Sequence, residues 1–198
     1  MRHERQKRKS QKGTSGKVHI YAGDRSARAI LELGLSVDRA TKNQRVCVVQ
    51  FLGNAGQAAS IESLHLPVPI DICKCETEEQ LAEACSALGG SDVAKERLAQ
   101  AREVLKSGGY DVVVLAEATT AIACRYISVQ DIAELIDQRS PDTEAILTGS
   151  CVEKAVAELA DTVTELVPTQ VKVDVVDRLG LEYWRAEEDV LDGYVPGT

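Results

Sequence analysis

Three short stretches limit the possible folds more than anything else in the chain. "QRVCVVQFL" (44–52) is a near-continuous apolar run with β-branched residues, "YDVVVLAEA" (110–118) is the strongest strand candidate, and "TEAILTG" (143–149) is another strand. A strand with one wet face alternates apolar and polar residues. A strand covered on both faces does not, and that is the pattern of a parallel sheet between helices. The intervening segments carry a helical period. From Ser26 onward Ala29, Ile30, Leu33 and Val37 recur at spacings of one, three and four. "SVQDIAELIDQR" (128–139) reads as a capped amphipathic helix, with Ser128 as N-cap and Asp131 in the place of the usual Glu or Gln of a capping box.

Further strands are expected at "KVHIYA" (17–22), "VPIDIC" (68–73), "DTVTELV" (161–167) and "VKVDVV" (171–176). Helices are expected over 77–107, broken near "LGGSD", and over "VEKAVAELA" (152–160). Ser91 or Asp92 is the expected cap of the second half of the first of these, and Gly108–Gly109 its end. Strands alternating with helices give an α/β domain with a mostly parallel sheet flanked by helices. Ligands in such sheets sit beyond the carboxyl ends of the strands. The loops after Ala22, Leu115 and Leu147 are therefore where chemistry is to be sought.

The chain has 198 residues, 44% of them apolar and only 4% aromatic, so a single core must be built from aliphatic side chains. No run of about 18 apolar residues is present, and the charged N-terminus lacks the apolar segment of a secretory signal. Both absences favour the cytoplasm and argue against a membrane role. Charge is uneven: residues 1–17 hold seven Lys/Arg and one Glu, while the rest hold 16 Lys/Arg and 30 Asp/Glu. A basic arm on an acidic body can attract nucleic acid. No aromatic residue is interleaved in it and no nucleic-acid motif follows, which argues against that partner. The expected division is a basic tail over 1–16, one domain over 17–184 and an acidic tail over 185–198.

Of the six cysteines, Cys47 and Cys124 are expected to be buried free thiols. Cys73 and Cys75 are one residue apart, closer than structural zinc ligands usually stand, and no second pair has suitable spacing. Two incidental thiols at a strand end is the plain reading, with a redox or metal role left open. His3, His19 and His65 are scattered. No metal site and no Ser/His/Asp order is suggested.

"YAGDRSARAI" (21–30) follows the first strand and opens a helix. A nucleotide-phosphate loop needs glycines that let backbone N–H groups approach, a lysine for the terminal phosphates and a hydroxyl for magnesium. This stretch has one glycine and neither lysine nor threonine. Judged alone it is a strand-to-helix turn capped by Asp24 or Ser26.

Its neighbours change the comparison. "RVCVVQFL", "YDVVVLAEATTAI", "AILTGS", "ELADTVTELVP" and "DRLGLEY" occur in one order across residues 17–184. In that order they resemble the P-loop class of ATP:corrinoid adenosyltransferases, the cob(I)alamin or cob(I)yrinic acid a,c-diamide adenosyltransferases. There the matching stretches read RV-x-VVQF, DLVVLDE, VVLTGRG, ELADLVTEMRP and K-x-Q-x-GIEY. The resemblance implies a P-loop NTPase (RecA-like) fold and a homodimer. It also implies ATP, magnesium and a corrinoid as the bound species. The family's loop, TGNGKGKTTAA, aligns without a gap. Gly23 matches its first glycine, Arg25 and Ala27 replace two others, and Arg28 stands at the lysine. Ala29 and Ile30 replace the two threonines. Ala116 stands where the acidic pair begins, leaving Glu117. Ser150 and Val167 replace two arginines. The family's aromatic GFTW-like segment has no counterpart in "DICKCETEEQLAEACSALGG" (71–90); the only Trp is Trp184 and the only Phe is Phe51.

The resemblance thus places a degenerate phosphate loop at Gly23, Asp24, Arg25, Ser26 and Arg28. Thr148 and Ser150 join it from the third loop, and Glu117 is the candidate for a catalytic base or a structural remnant. Three readings follow. The favoured one is a catalytically degenerate relative that acts as a binding or partner protein. The second is an active ATP-dependent adenosyltransferase with a site rebuilt on Arg28 and Glu117. The third is a binding module for another small anionic ligand at the Arg25/Arg28 helix start.

Overall fold

A computed structural model of the chain describes residues 16–52, 66–67, 69–73 and 90–167. The first strand, β1 (Val18–Gly23), leads into α1 (Arg25–Thr41). Then come β2 (Val46–Gln50), β3 (Ile70–Cys73) and α2 (Gly90–Ser107). After β4 (Val112–Ala116) stand two helices, α3 (Ala118–Ala123) and α4 (Val129–Gln138). The described chain closes with β5 (Glu144–Gly149), α5 (Lys154–Ala157) and β6 (Thr162–Leu166). The six strands form one sheet in the order β3-β2-β4-β5-β1-β6, and every pairing is parallel.

Burial follows strand position. All residues of β2, β4 and β5 are buried, the polar Gln50, Glu144 and Thr148 among them, as in a parallel sheet covered on both faces. At the sheet edge β6 is exposed along most of its length. Side chains alternate between two cores, as the period of a strand dictates. Cys47, Val49, Val113, Leu115, Ala145 and Leu147 join Ala94, Leu98, Ala101 and Leu105 of α2 and Ile132, Leu135 and Ile136 of α4. On the other face Val46, Val48, Val112, Val114, Ala116 and Ile146 lie with Ala40 and Leu33 of α1. The register of β1 against β5 and β6 brings Gly23, Gly149 and Leu166 to one edge of the sheet. That edge also carries Ala116, and the candidate site is built there.

Several expectations shift in detail. The helix expected over 152–160 covers only Lys154–Ala157. Ser91 and Asp92 do not cap α2, because the helix already includes Gly90 and puts both in its first turn. Gly108, at φ +59°, ends it as expected. A helix not foreseen, α3, starts directly after Glu117, so the strand expected over 110–118 breaks off sooner than its composition suggests. Cys47 is buried, but Cys124 is exposed: the short α3 ends at Ala123 and leaves its thiol outside the core. The two tails, the "VKVDVV" and "DRLGLEY" stretches, His3, His65, Cys75, Cys85 and Trp184 lie outside the described residues, as does most of the stretch between β3 and α2.

Candidate functional site at the strand ends

The turn from β1 into α1 is fixed by two backbone requirements. Gly23 has φ +123°, and a Cβ there would lie 2.3 Å from the Leu166 carbonyl oxygen. Only glycine suits both the conformation and the close approach. Asp24 follows as N-cap: its Oδ1 accepts from the Ala27 backbone N–H at 2.9 Å, and its own N–H donates to the Leu166 carbonyl at 3.0 Å. Of the two caps expected, Asp24 is the one used. Arg25 is the first residue of α1 and Ser26 the second.

Arg28 lies one turn into α1, and its direction decides the character of the site. It is 3% exposed. Its Nε donates to the Gly23 carbonyl at 2.9 Å, and a terminal guanidinium nitrogen pairs with Glu117 Oε1. The rigid fork of the guanidinium is thus divided between a loop carbonyl and a carboxylate. Glu117 reaches it from a strained backbone: its φ is +59°, in the left-handed region that non-glycine residues enter at a cost of about 1 kcal/mol. It occupies the N-cap position of α3 but makes no side-chain capping bond. Its second oxygen accepts instead from the Thr120 hydroxyl, three residues on.

The third loop completes the set. Thr148, fully buried, accepts from the Glu117 backbone N–H at 3.1 Å and donates to the buried carboxylate of Glu32. Ser150 donates its backbone N–H to Thr120 Oγ1 at 2.8 Å. Gly149 lets the loop close on α3, since a Cβ there would fall 1.9 Å from Thr119 Oγ1 and 2.6 Å from the Thr120 nitrogen. The result is one connected network from the first loop through Arg28, Glu117 and Thr120 to Ser150. Its charged centre, Arg28 with Glu117, is satisfied inside the protein.

The structure therefore gathers Gly23, Asp24, Arg28, Glu117, Thr148 and Ser150 at one strand edge. The sequence reading missed Glu32 and Thr120. Each carried a signal: Glu32 is four residues after Arg28 on the same helical face, and Thr120 is one turn after Glu117. A separate open cleft of about 450 Å³ is lined by Ile122, Arg125, Tyr126, Val129, Asp131 and Glu153 among others, and shares no lining residue with this network. Among the described residues no group of three or more His, Cys, Asp or Glu could hold a metal ion. No described helix is long and apolar enough to cross a membrane.

The sequence model of the family described as ATP:corrinoid adenosyltransferase BtuR/CobO/CobP matches residues 14–183. The chain belongs to that family. A corrinoid adenosyltransferase of Escherichia coli (strain K12) is 23% identical over 173 residues, covering 85% of this chain and 86% of that protein. Corrinoid adenosyltransferase CobA of Salmonella typhimurium is 23% identical over 175 residues with the same coverage. Among solved structures, the ATP synthase subunit NeqB from Nanoarcheaum equitans superposes with a TM-score of 0.52 at 11% identity. That likeness covers 83% of this chain, which spans about half the length of the subunit, and it is a likeness of fold alone. The six-stranded parallel sheet with its flanking helices is the α/β, P-loop NTPase-like architecture expected from the sequence.

Proposed function

We propose that this family member is catalytically degenerate and serves as a binding or partner protein rather than as an ATP-dependent adenosyltransferase. One observation carries the reading: Arg28, at the position of the phosphate lysine, is engaged by Gly23 and Glu117 and is 3% exposed. A triphosphate would have to draw Arg28 away from its carboxylate. Separating a buried ion pair leaves an uncompensated charge and costs about 3–5 kcal/mol. At roughly 1.4 kcal/mol per tenfold, that weakens binding by about two to three and a half powers of ten before any other loss is counted.

The remaining donors do not fit magnesium-ATP. Ala29 stands where a hydroxyl would enter the metal shell, and Ala116 ends β4 with a methyl group in place of a carboxylate. The one acid left at this strand end, Glu117, accepts from Arg28 and Thr120. Arg25 and Ala27 fill two positions where the family pattern has glycine, so backbone N–H groups are not opened to phosphate oxygens.

Calorimetric titration of the purified protein with magnesium-ATP tests the reading. No heat at millimolar nucleotide is expected. A saturable isotherm with a Kd in the micromolar range would overturn it.

A further inference from the structure

We propose that the cleft between the end of α3 and the loop before α5 binds a small zwitterion with an apolar body, the chemistry of a free apolar amino acid or dipeptide. Arg125 takes its carboxylate and Glu153 its ammonium group. The cleft shares no lining residue with the Arg28 network, so the proposal is independent of the reading of the phosphate loop.

The strongest pointer is the way α3 ends. The Tyr126 N–H donates to the Ala121 carbonyl at 3.0 Å, and the Arg125 N–H to the Ile122 carbonyl at 2.8 Å. This pair of bonds puts the residue after the cap in the left-handed region, where glycine is the usual occupant. Here that residue is Arg125, at φ +60°. A side chain in that conformation carries a steric cost that glycine does not. The guanidinium does nothing to offset it inside the protein: among the described residues it makes no hydrogen bond and no ion pair. It stands exposed on the cleft instead. Backbone strain without internal compensation gathers at ligand sites.

Glu153 brings the opposite charge from the third loop. It is exposed, and although it directly precedes α5 its side chain makes no capping bond. Among the described residues its carboxylate pairs with no cation, Arg125 included. Two opposite charges on one cleft that do not neutralise each other are complementary to a ligand that carries both. The third charged lining residue, Asp131, strengthens the case for a cationic group on that ligand. Its Oδ2 accepts from the Ser128 hydroxyl at 2.6 Å and the Ser128 N–H at 2.7 Å, and these bonds hold the carboxyl below its usual range. Asp131 therefore stays ionised at neutral pH, and the lining holds two acids against one arginine, which disfavours a bare anion. The rest of the lining is mainly apolar: Ile122 and Ile127 are buried, Tyr126 and Val129 half-buried. The volume of about 450 Å³ falls within the roughly 300–1,000 Å³ of small-molecule sites.

Titration of the isotope-labelled full chain with leucine and with leucyl-leucine, followed by its amide chemical shifts, tests this. At least one compound should give saturable shifts at Arg125, Tyr126, Val129 and Glu153, with a Kd of about 1 mM or tighter. For the compound that binds, the N-acetyl form lacks the ammonium group and the amide form lacks the carboxylate. Each should bind about tenfold more weakly or worse. Arg125→Gly should raise the melting temperature, because the strain at the end of α3 is relieved. The same variant should bind the parent compound about tenfold more weakly and the amide form no differently from the unaltered chain. Glu153→Gln should erase the disadvantage of the N-acetyl form. No saturable shift at about 10 mM of either compound would overturn the proposal. So would analogues that bind as tightly as the parent, or an Arg125→Gly variant with undiminished binding.

Discussion

Arg28 and Glu117 are the residues on which the account turns. Neither is inert: each is tied to its surroundings by more than the pair itself, Arg28 to the Gly23 carbonyl and Glu117 to the Thr120 hydroxyl. Removing one partner should therefore be costly and removing both should not. Arg28→Ala is expected to destabilise the fold by about 3 kcal/mol, because Glu117 is left charged and largely buried. The double variant Arg28→Met, Glu117→Gln should recover most of that loss, since it leaves no stranded charge. Urea denaturation of the two single variants and the double variant gives the comparison. Additive losses would mean that the pair is not coupled. The residue types were legible in the sequence as departures from the phosphate-loop pattern. Their mutual contact was not, because they are 89 residues apart in the chain and meet only through the sheet.

At the scale of elements, turns and caps do the positioning. The Ser128 capping box is complete: Asp131 N–H donates to Ser128 Oγ at 3.1 Å, and the Ser128 N–H donates to Asp131 Oδ2 at 2.7 Å. Hydrogen bonds from Ser128, first from its hydroxyl and then from its backbone, hold the Asp131 carboxyl below the usual range. A group whose folded pKa is lowered contributes stability above its unfolded value, near 3.9, and loses it as pH falls through the folded one. Ser128→Ala should thus cost about 1 kcal/mol at neutral pH and progressively less below about pH 4. Thermal melts at several pH values would show this. A loss that does not change with pH would contradict the cap. Gly149→Ala should be harsher, about 3 kcal/mol or more, because the added methyl would meet Thr119 Oγ1 and the Thr120 backbone. Thr119→Ala in the same chain should relieve only part of it, since the backbone contact remains. The capping box could be read from four consecutive residues because it is local. The start of α3 could not: nothing in "LAEATTA" announces that Glu117 leaves the strand through a left-handed turn.

The whole molecule is a family fold whose sheet was the most legible feature of the sequence. The apolar run of β2 suited a strand covered on both faces, β4 read as the strongest strand, and with β5 they became the centre of the sheet. Helix ends and the exposed position of Cys124 were less legible, since they depend on where tertiary packing stops. At this scale the sheet order sets β4, β5 and β1 side by side, so the three loops that carry phosphate chemistry in a P-loop fold meet at one edge. Here they meet around a closed ion pair and a hydroxyl network. The central claim is that this edge no longer runs the reaction for which its family is named. The direct measurement is turnover: purified protein, magnesium-ATP and chemically reduced cob(I)alamin under anaerobic conditions, with formation of the adenosylated corrinoid followed by its absorbance. No product above the protein-free control is the predicted result. ATP-dependent adenosylation that is lost in Arg28→Ala would contradict the account and make Arg28 part of a rebuilt active site.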